Sequence, residues 1–200
     1  VGVYVTVDAK LVQRLDQVRQ WNGQPIPATL RARVAREWEK VALFTTQIQA
    51  LERARRLELR ETADASVALV RQLLQLRGIG NQTAWLFVTE LFAWRQFRNR
   101  REVGGITGMV GTLYRSGLLK HEQGISKAGN RRVRAMLVEQ AWKWLQLQPD
   151  SALTQWFNRR FASGGKRMRR VGIVALARRL VIALWRYLKH GEIPAGAVLK

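Results

Sequence analysis

Leu76-Arg77-Gly78-Ile79-Gly80-Asn81-Gln82-Thr83-Ala84 is the stretch whose reading decides the fold. Before it, residues 64–75 set Val67, Leu69, Val70, Leu73 and Leu74 at helical spacing. After it, residues 81–92 read as a second helix. Helix, Gly-Ile-Gly turn and helix together make a helix-hairpin-helix pattern. Such a turn leaves the N–H groups of the second helix's first turn without intrahelical partners, a pocket for one phosphate. A glycine–apolar–glycine turn between helices is equally a plain connection, so the turn alone leaves both readings open.

The helical period continues on both sides. Residues 8–20 predict a short helix capped by Asp8, with Leu11, Leu15 and Val18 on one face. Trp21-Asn22-Gly23 and Pro25-Ile26-Pro27 break it. Residues 28–60 predict a long helix. Leu30, Val34, Val41, Phe44, Ile48 and Leu51 recur at three-, four- and seven-residue steps, a coiled-coil-like stripe or the inner face of a long core helix. Three further helices are predicted over 130–147, 151–162 and 166–189, the last carrying Arg167, Arg169, Arg170, Arg178, Arg179 and Arg186. The tail, 191–200, is expected to fray. The one strand-like run, Val3 to Val7, is too isolated to form a sheet. The predicted fold class is all-α: a coiled-coil-like helical linker over 1–63, then a compact helical domain over 64–190 with the helix-hairpin-helix and a serine loop.

Composition narrows the partners. The 200 residues hold 35 Lys and Arg against 14 Asp and Glu, a net charge of +21. A globular chain with that excess faces a polyanion, and nucleic acid is the commonest. An anionic membrane surface is the rival, but no apolar run is long enough to span a bilayer and basic residues are spread over several helices. There is no cysteine, and His121 and His190 lie far apart, which argues against a zinc site. The carboxylates are scattered and form no two-metal constellation, so no metal ligands are assigned in this chain. Glu90 reads as an ion-pair partner. Most of the eight tryptophans are expected in the core, with one or two left to stack on bases. The start at Val1 suggests the cut end of a longer protein, or a mature chain that has lost its Met.

Residues 104–134 concentrate the chemistry. Glycines, Ser116 and Ser126 alternate there with Lys127, Arg131, Arg132 and Arg134. Glycine lets a backbone approach another molecule closely. A serine displayed beside arginine can meet a phosphate, though a serine nucleophile needs help with its proton. His121 is five residues from Ser116, and no Ser-His-Asp arrangement is evident. The plainer role for these residues is to cap turns, with Asn130 capping the helix that follows.

The order of motifs resembles one insertion-sequence family. Leu76 to Ala84 is followed by Glu90-Leu91, Phe97, Gly108-Met109-Val110-Gly111 and Ser116-Gly117. Gly124-Ile125-Ser126-Lys127-Ala128-Gly129-Asn130-Arg131-Arg132-Val133-Arg134 closes the series. This is similar to the C-terminal transposase domain of the one-ten family with its eleven-eleven subgroup, the DEDD transposases that include the bridge-RNA-guided recombinases. The resemblance is specific over 64–146 and looser over 1–60. It implies a DNA transposase or recombinase whose other half is a RuvC-like domain with four acidic ligands for Mg2+. Ser116, which matches the family's Ser-Gly motif, is then the nucleophile in preference to Ser126. Gly108-Met109-Val110-Gly111 departs from the family's Gly-Leu-x-Pro, so that loop lacks a proline's restraint.

From these readings the expected nucleic-acid contacts are Gly78, Ile79, Gly80, Arg115, Lys127, Asn130, Arg131, Arg132 and Arg134. The expected partners are DNA, a guide RNA, and further copies of the chain in a dimer or tetramer held through the linker helices; no membrane is expected. The setting is a bacterial or archaeal cytoplasm, at the nucleoid. The chain alone has no cofactor of its own and is expected to bind nucleic acid without recombining DNA. The alternative is a helix-hairpin-helix binding module without chemistry.

Overall fold

The computed structural model describes residues 5–116 and 119–200, with the backbone alone for 112–116 and 119–123. The chain divides into two units, Val1–Glu61 and Thr62–Lys200.

In the first unit α1 is a single turn, Leu11–Arg14, shorter than the 8–20 helix expected. Turns at residues 15–17 and 21–22 follow it, and the Gln20 N–H donates to the Gln24 carbonyl at 2.7 Å. Arg14 pairs with Asp8, and Arg31 with Asp16 at 2.6 Å. α2 runs unbroken over Ala28–Glu61, and none of its 34 residues is buried. Phe44, Ile48 and Leu51 remain 59%, 54% and 61% exposed. From Val41 onward the stripe read from the sequence is therefore exposed among the described residues, while Leu30 and Val34 at its start face Leu15, Val18 and Ile26.

The second unit packs helices around one core. α3 (Ala65–Leu74) is capped by Asp64, whose carboxylate accepts from the Ser66 N–H at 2.7 Å. The Ser66 backbone bond, with further help from the Ser66 side chain and Val67 N–H, holds the Asp64 carboxyl below its usual range. α4 (Asn81–Phe87) continues into a π-helical turn at Val88–Phe92. Next come α5 (Arg100–Ile106), the antiparallel hairpin β1 (Gly111–Ser116) and β2 (Leu119–Ile125), α6 (Arg131–Leu147), α7 (Ala152–Phe161) and α8 (Lys166–His190). α8 is the spine, touching α3, α5, α6 and α7. Its Leu176, Leu180 and Leu184 are fully buried, as are Val70, Leu73, Leu137 and Trp144 from the helices around it. Among the described residues no helix is long and apolar enough to cross a membrane.

The all-α expectation holds for the architecture, with four local differences. First, the stretch ahead of α6, expected to be loop, carries the β-hairpin. Second, α5 forms across Gly104-Gly105. Asn99 accepts from the Arg101 and Glu102 N–H groups, and Glu102 reaches back to the Arg98 N–H at 2.9 Å. This near capping box supplies what the glycines lack in helix propensity. Third, the tail expected to fray is tied down. The buried Gln148 donates to the Arg77 and Val198 carbonyls and accepts from the Val198 N–H, each at 2.8 Å. Lys200 N–H donates to Gln75 O at 2.7 Å. Fourth, Trp85 and Trp144 alone of the eight tryptophans are buried, while Trp21 and Trp94 are 89% and 61% exposed. The expectation that most would be core is corrected: the aliphatic residues of α3, α6 and α8 already fill the interior.

Candidate nucleic-acid interface

Two backbone segments cross at the base of the β-hairpin, and glycine is what lets them touch. Gly108 has φ +65°, and a Cβ there would lie 1.8 Å from the Ala128 carbonyl oxygen. Gly129 has φ +103°, and its Cβ would lie 2.1 Å from the Ile106 carbonyl oxygen. Lys127 itself takes a left-handed φ of 55°. Two hydrogen bonds close the crossing: Ser126 N–H to Val110 O at 2.9 Å and Lys127 N–H to Gly108 O at 3.0 Å. The Arg134 guanidinium then donates to the Lys127 and Thr107 carbonyls at 3.0 and 3.3 Å, stapling both segments to α6. Of the expected phosphate contacts, Arg134 is thus committed to a structural bond.

Asn130 caps α6, its side-chain oxygen accepting from the Arg132 and Val133 N–H groups at 2.9 and 3.3 Å. Its amide nitrogen donates to Glu90 at 2.7 Å, and Arg132 lies 3.7 Å from the same carboxylate. Glu90 is an ion-pair partner, as read from the sequence. It binds the clamp to the π-helical end of α4. Lys127 and Arg131 are exposed, and the Arg132 side chain is 78% exposed. These three cations are open to solvent around the clamp.

The glycine turn sits at the other end of the same helix pair. Gly78 turns the chain at φ +94°, Ile79 is core, and Gly80 is exposed ahead of α4. The inner carbonyls are pinned: Arg77 O by Gln148, Gly78 O by Gln140 at 3.0 Å, and Ile79 O by Lys200 at 2.9 Å. Ile79 therefore holds the turn in place with its side chain in the core. Gly78 meets Gln140 while Glu90 meets Asn130, so α4 and α6 run antiparallel. The turn and the clamp lie at opposite ends of the pair, roughly 15 Å apart along α6. The nine expected contact residues therefore do not form one patch.

Ser116 ends β1 and pairs with Leu119, and Arg115 pairs with Lys120. The side chains of Ser116 and Arg115 lie outside the described residues. Ser126 is exposed and contributes its backbone N–H to the crossing. No group of three or more His, Asp or Glu able to hold a metal ion occurs among the described residues. The sequence showed the arginines of α8 only as decoration of a helix. With Arg100 and Arg101, five of them (Arg167, Arg170, Arg178, Arg179 and Arg186) line a groove that also reaches Ile125 at the hairpin base. Arginine recurring on one face of a helix was the signal that could have found it.

Comparison with known proteins supplies the family. The profile of the IS116/IS110/IS902 transposase family matches residues 70–156, which include the glycine turn, the hairpin and the clamp. The chain is 40% identical over 195 residues to y4rJ of Sinorhizobium fredii (strain NBRC 101917 / NGR234), a protein assigned as a transposase. That match covers 94% of this chain and 49% of the relative. It is 28% identical over 194 residues to the transposase for insertion sequence element IS1328 of Yersinia enterocolitica, covering 96% of this chain and 55% of that protein. The chain thus spans about half the length of the curated relatives it matches. It belongs to the IS116/IS110/IS902 family of transposases.

Proposed function

We propose that this chain is the serine-bearing part of a DNA transposase, with Ser116 attacking a DNA phosphodiester. The Oγ–P bond forms as one bond from phosphorus to a sugar oxygen breaks, and the serine's proton ends on the departing oxygen. The observation that carries this reading is the clamp. Gly108, Gly129, Asn130 and Arg134 spend their conformational and hydrogen-bonding capacity on holding the base of the hairpin in which Ser116 lies. Exposed Lys127, Arg131 and Arg132 beside it suit phosphate oxygens. The described residues hold no carboxylate cluster that fits the Mg2+ site of a RuvC-like domain. Recovery of a covalent protein–DNA adduct from the full-length transposase under denaturing conditions tests the reading. Strand exchange with no such adduct rules it out.

DNA, and a guide RNA as a second polyanion, are held in this reading mainly through phosphates. The +21 charge supports this, as does the Gly78-Ile79-Gly80 turn read as a helix-hairpin-helix, since the N–H groups of the first turn of α4 lack intrahelical partners. Affinity for duplex DNA should fall linearly in log K against log salt. Six phosphate contacts would cost about a thousandfold between 50 and 200 mM salt. Titrations that give a flat salt response would remove the phosphate-based reading.

Assembly follows from α2. Val41, Phe44, Ile48 and Leu51 lie on one seam and are all exposed. Burying each against a second α2 is worth about 1.5–3 kcal/mol. The chain is expected to sediment as a dimer or tetramer, and Phe44→Lys with Ile48→Lys as a monomer. A wild-type chain that stays monomeric at high concentration refutes this pairing.

A further inference from the structure

We propose that the groove along α8 is a track for one unpaired nucleic-acid strand, separate from the glycine turn and from the cations at the clamp. The inference rests on the reading that the chain works on nucleic acid. The groove encloses about 1120 Å³ between α5, α7, α8 and the 192–195 segment, and touches the hairpin base at Gly124 and Ile125. Arg167, Arg170, Arg178, Arg179 and Arg186 line it from α8. Arg100 and Arg101 face them from α5, and Glu192 is the one carboxylate in the lining among the described residues. The arginines of α8 run from 167 to 186, roughly 28 Å of helix.

Three features select the occupant. The charge selects a polyanion. A second copy of this chain, itself at +21, brings no excess of negative charge to match the groove arginines. The lining between the arginines is apolar: Val171, Val174, Ile182, Ile193 and Trp156. A duplex hides its bases and would set phosphates against that surface, at a desolvation cost. An unpaired strand offers phosphates to the arginines and base faces to the apolar floor. Arg179 already sits over the Trp156 ring, its Cζ 3.9 Å from the centroid, and bases stack on aromatic rings and guanidinium planes. Gly104 lets α5 approach here: a Cβ on it would come 2.9 Å from Arg178 Nε. A strand in the groove would arrive at the base of the hairpin that bears Ser116. An acidic protein segment is the competing occupant.

The test uses the intact chain and a fluorescent oligothymidylate. Arg167, Arg170 and Arg186 are exposed, so Arg167→Gln, Arg170→Gln and Arg186→Gln together should leave the fold unchanged by circular dichroism. Three lost contacts on a single strand at 0.15 M salt predict an affinity about fiftyfold weaker and a salt slope shallower by about 2. The same charge removed from α2, as Arg33→Gln, Arg36→Gln and Arg60→Gln, should change affinity by a few-fold at most. Equal losses in the two triple variants would mean diffuse attraction and overturn the track. In the wild-type chain, a photoreactive thymidine strand should crosslink to α8 or Trp156. Crosslinks confined to the glycine turn or to α2 would also overturn it. So would a polyglutamate peptide that shields the groove arginines from phenylglyoxal when oligothymidylate does not; the groove would then belong to an acidic protein. A wild-type chain that binds no strand at all would defeat the nucleic-acid reading itself, whereas binding that ignores the groove defeats only the track.

Discussion

Gly129→Ala should lower the melting temperature of the chain by roughly 10 °C or more, and Gly108→Ala should do the same. At each position the new Cβ meets a backbone carbonyl oxygen, at 2.1 Å for Gly129 and 1.8 Å for Gly108. Backbone cannot swing aside as a side-chain tip can. Each site also has positive φ, which costs an L-residue about 1–2 kcal/mol, and overpacking adds about 1–3 kcal/mol. Together these take a large share of a typical domain's 5–15 kcal/mol. Gly105→Ala is the contrast. It sits in α5 with nothing within 4 Å of its Cβ position and no positive φ, so alanine should be neutral or stabilising by up to about 1 kcal/mol. Thermal melts of the three variants by circular dichroism check the geometry. Gly129→Ala melting like wild type would mean that the segments 106–110 and 126–129 do not cross in contact.

The helices were legible because burial imposes a period. α3, α6 and α8 each put apolar residues on one face, and Asp64 and Asn130 announce their helices as short polar caps. The hairpin was not legible. Gly111–Ser116 and Leu119–Ile125 are rich in glycine and charge and lack the alternation a half-buried strand shows, since this two-stranded ribbon has no sheet to pack on. α5 was hidden by Gly104-Gly105 and the tail by its place at the end of the sequence and its lack of a helical or strand period. Both are fixed by side-chain-to-backbone bonds, from Asn99 and Gln148, that leave no periodic trace. The candidate site was half legible. Composition marked 104–134 as unusual, and motif order pointed to the family. That Gly129 and Arg134 are a clamp depends on a crossing between residues twenty positions apart, which spacing along the chain does not reveal. The tryptophans show the opposite error. Their size suggested core, but the aliphatic residues had already filled it, leaving Trp94 against Arg95, whose guanidinium lies 4.0 Å from the ring centroid.

In the full-length transposase, Ser116→Ala should abolish both the covalent DNA adduct and strand exchange, a loss of at least ~10⁴-fold, as when the nucleophile of a covalent mechanism is removed. DNA affinity should barely change, because one neutral hydroxyl contributes little beside a charge of +21. The variant leaves untouched the Gly108, Gly129 and Arg134 contacts that hold the hairpin base. Loss of the adduct with an unchanged melting temperature would therefore report chemistry and not folding. Ser126→Ala is the matched control. Ser126 serves the crossing through its backbone N–H, which bonds Val110 O at 2.9 Å and survives the substitution. It should keep the adduct and most of the activity. The assignment is overturned if Ser116→Ala retains the adduct while Ser126→Ala loses it, for then the serine inside the clamp is the nucleophile. If both variants keep it, the nucleophile is neither serine, and the hairpin serves to position DNA rather than to cut it.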